Sequence, residues 1–270
     1  MAKISVIIPT YNQAEYLTSC LDAVWFQEHP DLEIIVVNDG SSDQTSQVLS
    51  AFQSAIIHEE TSFASYYNLN TNEICREHHS RYFPSGRSLA IINQKENKGL
   101  AHTINIGLKA STGKYCTYVP SDNICYPSMF TELEAALKRH DADFAYADMF
   151  IIDDAHNIIR KFELPDYSFQ RCFCDWYLCG VCKLYKTALH ELQGYYDEAL
   201  LAHDHELFLR FAENGYKFVH VPKVLMGVRS HDHEREVGIH APENWQRLLQ
   251  ESKDLVLRAR KVKTHSLNNV

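Results

Sequence analysis

The chain has 270 residues, with 26 Lys and Arg against 35 Asp and Glu and a formal charge of −9. Hydrophobic residues make up 45% and charged residues 23%, with only 10 glycines and 8 prolines, a mix that excludes a disordered polymer and supplies one large core or two small ones. The acidic balance argues against duplex nucleic acid as a partner, because phosphate binding needs clustered Lys and Arg.

The first segment, Ile4 to Pro9, is a continuous apolar run suited to a strand buried on both faces. "TYNQ" turns the chain, and Ala14 to Gln27 places Leu17, Leu21, Val24 and Trp25 at helical spacing. "LEIIVVNDGSSDQT" predicts a second buried strand that ends in a polar loop, where Ser42 or Asp43 caps a helix through Val48, Leu49 and Phe52. Strand and helix alternating over short links predict a parallel sheet with right-handed crossovers.

Residues 54–87 break this rhythm and read as an insertion or small subdomain. A structureless loop of that length is unusual in a compact domain, so a helix over Asn72 to His79 is expected within it. Regular patterning resumes with a strand at Leu89 to Asn93 and a helix bearing Leu100, Ile104 and Leu108. A strand at Tyr115 to Val119 follows and runs directly into "PSDN". Ser128 to His140 predicts a helix, Phe144 to Phe150 a strand, and Asn157 to Phe162 its hairpin return. Asp204 to Asn214 predicts another helix, and "GYKFVHVPKVLMGVRSH" a strand, a turn and a strand. A last helix from Glu243 to Lys261 carries Trp245, Leu248, Leu249, Leu255, Val256 and Val262 near one stripe.

No apolar run approaches the ~20 residues of a membrane span. The N-terminus also lacks the h-region and cleavage site of a signal peptide. The eight cysteines are therefore expected as free thiols in a reducing compartment, and the protein as cytoplasmic. "CFCDWYLCGVC" groups Cys172, Cys174, Cys179 and Cys182, and both buried thiols and a structural zinc site stay open. "HDHE" and "SHDHERE" leave a metal cluster open beside ordinary surface histidines. Trp176 and Tyr177 suit either acceptor stacking or core packing. The final helix, ending "RARKVK", suits packing on the domain or on a dimer partner, with a peripheral contact to an anionic membrane as the alternative.

In open α/β sheets, ligands bind beyond the carboxyl ends of the strands. "PTYN", "VNDGSSD" and "VPSDN" all fall there, each offering Asp or Asn where the backbone leaves the sheet. Such groups suit a nucleotide and a divalent cation, although Asn, Asp, Ser and Gly are also ordinary turn residues.

At this point "SVIIPTYNQAEYLTSCLDAVWFQ", "LEIIVVNDGSSDQT", "NKGLAHTINIGLKASTGKYCTYVPSDN" and "GYYDEALLAHDHELFLRFAENGYKF" together resemble the family 2 glycosyltransferases of the GT-A fold, over most of residues 3–229. The resemblance implies an α/β fold with a mixed, mostly parallel Rossmann-like sheet. It divides the chain into a nucleotide-sugar half at 1–123, an acceptor and catalytic half at 124–240, and a helix and tail at 241–270. It places Pro9, Thr10, Tyr11, Asn12, Asp39, Ser41, Asn97, Lys98, Gly99, Ser121 and Asp122 at the nucleotide. Asp122, Asn123 and His231 fall at the metal, Mn²⁺ or Mg²⁺, Asp204 at the catalytic base, and Trp176 and His203 toward the acceptor.

Two departures stand out. The family's Asp-x-Asp-Asp is reduced here to Ser121, Asp122 and Asn123 after Pro120, and the Glu before the base is His203. The resemblance implies an inverting transfer from a nucleotide-sugar, a UDP-sugar foremost, to a hydroxyl of a glycan or lipid-linked acceptor, as in polysaccharide synthesis. A catalytically silent relative that binds sugar nucleotide or glycan is the alternative. A nucleotidyltransferase fits less well, because "PTYNQAEY" has neither the glycine nor the lysine of a phosphate loop.

Overall fold

A computed structural model describes residues 1–83, 85–231 and 242–267. Its centre is a nine-stranded sheet. Four strands at one side, β1 (Ile4–Thr10), β2 (Leu32–Asn38), β5 (Arg87–Asn93) and β6 (Tyr115–Tyr118), are mutually parallel in the order β5-β2-β1-β6. The crossovers are α1 (Ala14–Trp25), α2 (Thr45–His58) and α3 (Leu100–Ala110). Every residue of β1 is buried, which is why its sequence reads as an unbroken apolar run and not as an alternation. Pro9 is tolerated within it because β6 pairs only as far as Ile7, so the missing N–H falls beyond that ladder.

The sheet continues as β6-β10-β8-β11-β7, with β7 (Ile124–Cys125), β8 (Phe144–Ile152), β10 (Lys183–Lys186) and β11 (Phe218–Arg229). Here the direction mixes: β10 runs antiparallel to β6 and β8, β11 parallel to β8, and β7 antiparallel to β11. β9 (Ile158–Phe162) returns antiparallel on β8, as the hairpin reading expects. Helix α4 (Met129–His140) packs on β8, β10 and β11. Beyond β10 come α5 (Ala188–Gln193), α6 (His203–Glu213) and the long C-terminal α7 (Pro242–Leu267). α7 lies against α6 and a single π-helical turn at Gln170–Cys174, burying Leu255, Val256 and Ala259. Trp245, read from sequence as part of that stripe, is instead about half exposed.

Two expectations fail. Asn72 to His79 is not a helix: Glu73–Ser80 forms β4, paired antiparallel with β3 (Glu60–Asn68) in a separate two-stranded hairpin. β4 buries no residue, so it shows neither a helical nor an alternating apolar pattern to read. The segment around Pro222 does not turn but remains one strand, β11. The register against β8 shifts between Val221 and Val224 and again before Met226, and this irregularity accommodates the proline.

Candidate active site

The carboxyl ends of β1, β2 and β6 converge on three interlocked loops. Asn12 adopts a left-handed backbone, φ 52°. From there its Oδ1 accepts the backbone N–H of Ser42 at 2.8 Å and of Asp43 at 3.3 Å, while its own N–H donates to Ser41 Oγ at 3.0 Å. Asp43, which precedes the N-cap Gln44, accepts from Ala14 N at 3.0 Å and from Thr45 N, the first N–H of α2, at 2.9 Å, and so ties α1 and α2 to the same loop. Hydrogen bonds from Thr45 and from the Ala14 backbone hold its carboxyl below the usual range against the opposing cost of burial.

Asp39 is buried and fully engaged. Its Oδ1 accepts Lys98 N and Gln94 Nε2, each at 2.8 Å, and its Oδ2 accepts Gly99 N at 2.9 Å. These bonds fasten the Glu96–Gly99 segment onto the end of β2. The approach is close: a Cβ on Gly40 would lie 2.6 Å from the Glu96 carbonyl carbon. Asn97 Oδ1 accepts Gly99 N at 3.1 Å, and the Lys98 ammonium pairs outward with Glu96. Of the remaining nucleotide candidates, Pro9 and Thr10 are buried strand residues and Tyr11 is exposed. Thr10 Oγ1 has no partner.

Asp122 lies four residues beyond the last residue of β6. Its Oδ2 is reached by Gln13 Nε2 at 3.3 Å and His231 Nε2 at 3.4 Å, while its Oδ1 is buried without a partner. Ser121 Oγ bonds the other end of the Gln13 amide. The second nitrogen of His231 meets Asp154 Oδ1 at 2.5 Å. Bonding to Asp122, with Asp154 adding, raises the imidazole pKa to about 9, so the ring is cationic at neutral pH. Arg229 braces this corner: its Nε donates to Asp122 O at 3.0 Å, its Nη1 to the carbonyls of Asp153 and Asp154, and its guanidinium lies over the Tyr16 ring.

Asn123 does not join Asp122. It is buried, with Oδ1 accepting Arg229 N at 3.0 Å and Nδ2 facing Met226 Sδ, so its carbonyl is spent on β11. Among the described residues no group of three or more His, Cys, Asp and Glu side chains is arranged to hold a metal ion. That covers the cysteine cluster, whose four residues are buried and form no disulfide; of "SHDHERE" only Ser230 and His231 lie within the described residues.

Asp204 is the second residue of α6. Its Oδ2 accepts the Tyr118 hydroxyl at 2.5 Å and lies 3.9 Å from Lys183 Nζ; its Oδ1 is buried with no partner. Glu251 of α7 fixes the approach to this helix, its Oε2 accepting Leu201 N at 2.8 Å and Ala202 N at 2.9 Å. Tyr118 thus joins Asp204 to the strand whose continuation carries Asp122. His203 is buried, with its ring edge-on to Tyr196 at 5.6 Å. Trp176 is exposed, whereas Tyr177 is packed near His205 and Phe208. Sequence reading missed Gln13, Gln94, Tyr118, Asp154, Lys183 and Arg229. Only Tyr118 had a usable signal, as the strand residue leading into the "PSDN" loop.

The model of the family described as Glycosyl transferase family 2 matches residues 5–71 and 64–191. The chain belongs to that family. An uncharacterized glycosyltransferase of Rickettsia typhi is 29% identical over 241 residues, covering 85% of this chain and 64% of that protein. The glycosyltransferase GlyA of Streptococcus pneumoniae is 27% identical over 171 residues, covering 63% of this chain and 20% of that one. The chain thus spans less than two thirds of these relatives. Among solved structures, Staphylococcus aureus TarS 1–349 with UDP superposes with a TM-score of 0.66 at 21% identity, covering 95% of this chain and 65% of that one. A mannosyltransferase from Pyrobaculum calidifontis, solved with GDP-Man and Mn²⁺, gives 0.59 at 18% identity, covering 84% and 56%. These likenesses show the shared GT-A-type α/β fold.

Proposed function

We propose that this family 2 chain transfers a sugar from a nucleotide-sugar, UDP-linked in the first instance, to a hydroxyl of a glycan or lipid-linked acceptor with inversion. The observation that carries the reading is a pair of buried carboxylate oxygens, Asp122 Oδ1 and Asp204 Oδ1, each without an internal donor, on side chains tied to the β6 end. Buried acceptors are normally satisfied, so two left open on one strand end suit ligands that arrive from outside. TarS binding UDP and UDP-GlcNAc supports a uridine donor, and the loops locked around Asn12 and Asp39 suit a nucleotide laid across β1 and β2.

Asp204 takes the proton of the acceptor hydroxyl as that oxygen attacks the anomeric carbon; a carboxylate within hydrogen-bond reach suffices for this. Attack from the face opposite the departing diphosphate inverts the configuration. With no cation bound, protonated His231 beside Asp122 offsets charge as the diphosphate forms. The orphaned Asp122 Oδ1 fits one bond to a divalent cation, and Asp122 with His231 would hold Mn²⁺ or Mg²⁺, His231 first losing its proton. With only two protein donors, the diphosphate itself would complete the shell. When bound, the ion neutralises charge on the leaving group. No helix among the described residues is long and apolar enough to cross a membrane, so a lipid-linked acceptor would be met at a surface.

The test is release of nucleoside diphosphate from a panel of UDP-, GDP- and dTDP-sugars, with Mn²⁺ or with EDTA. Asp204→Asn should lower turnover by about 10²–10⁴-fold, the usual worth of a general base, while nucleotide binding by thermal shift stays near wild type. Near-wild-type turnover of that variant removes Asp204 from the mechanism. Binding without any diphosphate release favours a silent sugar-nucleotide binder.

A further inference from the structure

Lys183 is fully buried within the sheet. The β6–β10 register pairs Cys116 with Tyr185, and two residues further along the antiparallel ladder Lys183 lies across from Tyr118. Its ammonium sits 3.7 Å from the centre of the Tyr118 ring and 5.3 Å from that of Phe208. Its hydrogen bond is a long one, 3.4 Å to Val181 O, and Asp204 Oδ2 is 3.9 Å away. A buried cation costs several kcal/mol unless an anion and polar contacts offset the loss of water. Methionine would fill a similar volume without that cost, so the charge is what this position adds.

The other groups facing this point are neutral near pH 7. Burial pushes the Tyr118, Tyr177, Tyr185 and Tyr196 hydroxyls and the Cys179 and Cys182 thiols up, and the Cys116 thiol up to about 12. Burial likewise lowers His205 to about 4. His203, the preceding residue, turns its ring to Tyr196, and Glu206 is paired with Arg210 and Arg258. Burial lowers the Lys183 pKa and Asp204 opposes that shift. Cys172, lowered to about 6 by its bond from Cys179, lies beyond that thiol. Lys183 and Asp204 are therefore the nearest opposite charges at this point.

We propose that Lys183 and Tyr118 are positioning residues for Asp204. The Tyr118 hydroxyl pins Oδ2 and the ammonium beneath its ring draws the carboxylate to that side, so that Oδ1 stays without an internal donor and turned toward an incoming proton. This rests on the reading of Asp204 as the base.

The experiment is a ¹³C NMR pH titration of the full chain labelled at aspartate Cγ, with the Asp204 resonance assigned by its loss in Asp204→Asn. In Lys183→Met the Asp204 midpoint should move to higher pH by about one unit or more, because removing a nearby cation makes the carboxylate harder to ionise. In Tyr118→Phe, which keeps the ring under the ammonium, it should move the same way by less. Circular dichroism and thermal melting confirm folding; if Lys183→Met does not fold, Tyr118→Phe decides alone. A folded variant whose Asp204 resonance titrates as in wild type overturns the proposal. Failure of the transferase reading shows elsewhere, as undiminished diphosphate release by Asp204→Asn.

Discussion

The loop at the end of β2 and the floor beneath Asp204 treat buried polar groups in opposite ways. Around Asp39 three donors meet one carboxylate, and around Asn12 one amide oxygen serves the backbone of the next loop. Around α6 the accounts stay open: Asp204 Oδ1, the hydroxyl of Tyr177 and both nitrogens of His205 are buried without partners. A fully satisfied region is rigid and presents its shape ready-made. A region with unmet acceptors pays in stability for capacity to take up a proton or a ligand. Asp122 stands between the two, with one oxygen matched and one not.

The largest expected effect breaks the satisfied side. Asp39→Ala orphans Lys98 N and leaves Gln94 and Gly99 only their longer bonds to Thr103 and Asn97. It should cost about 2–5 kcal/mol, at roughly 1–3 kcal/mol per orphaned group and less for the two that keep a partner. Urea unfolding measures it; a loss under about 1 kcal/mol would mean that water replaces the carboxylate freely.

The next effect probes the open side through pH. Burial depresses both His190 and His205 to about 4, against 6.5 when unfolded. Between those values the unfolded chain holds protons that the folded chain refuses, so stability falls as pH drops from 6.5 toward 4. At pH 5 each histidine should cost about 2 kcal/mol relative to pH 7. His190 bonds Gly194 O and the Tyr185 hydroxyl, each at 3.2 Å, whereas neither nitrogen of His205 is bonded. His205→Phe should therefore be tolerated at pH 7 and flatten the acid slope by its half. An unchanged slope in melts at pH 7 and 5 would refute that assignment.

Two glycines sharpen the picture of the rigid side. Gly40 combines φ +69° with the close Glu96 backbone, so Gly40→Ala should cost about 2–4 kcal/mol. Gly99 has φ +92° but open space around it, and Gly99→Ala should cost only about 1 kcal/mol. Equal melting temperatures for the two variants would show that the close approach at Gly40 relaxes.

Much of this layout was legible in the sequence, for reasons that also mark where reading failed. β1, β2, α1 and α3 bury continuous runs or clean helical faces, so their signals survive without knowledge of their neighbours. β4 was misread because a hairpin with no buried face leaves no periodicity, and β11 because Pro222 resembles a turn until β8 is seen to tolerate a shifted register. Asp39 and Asp122 lie at strand ends, where polar clusters mark the sequence, whereas Asp204 was singled out by the family resemblance alone. Lys183 was not: strand alternation assigns a lysine beside Leu184 to solvent, and only the crossing of β6 with β10 under α6 encloses it. Asn123 was misplaced because adjacent residues in a turn point to different neighbours.

The bond from Glu251 to the backbone of Leu201 and Ala202 has an outcome for anyone shortening this protein. The family model matches as far as residue 191; a fragment trimmed there would lose β11 and Asp204 itself, whereas one trimmed just before α7 would keep its sheet strands. Yet even there the clamp that seats the start of α6 would be gone, leaving the first turn that carries Asp204 without its anchor from α7. A fragment meant to hold Asp204 in place therefore reaches at least one turn past Glu251.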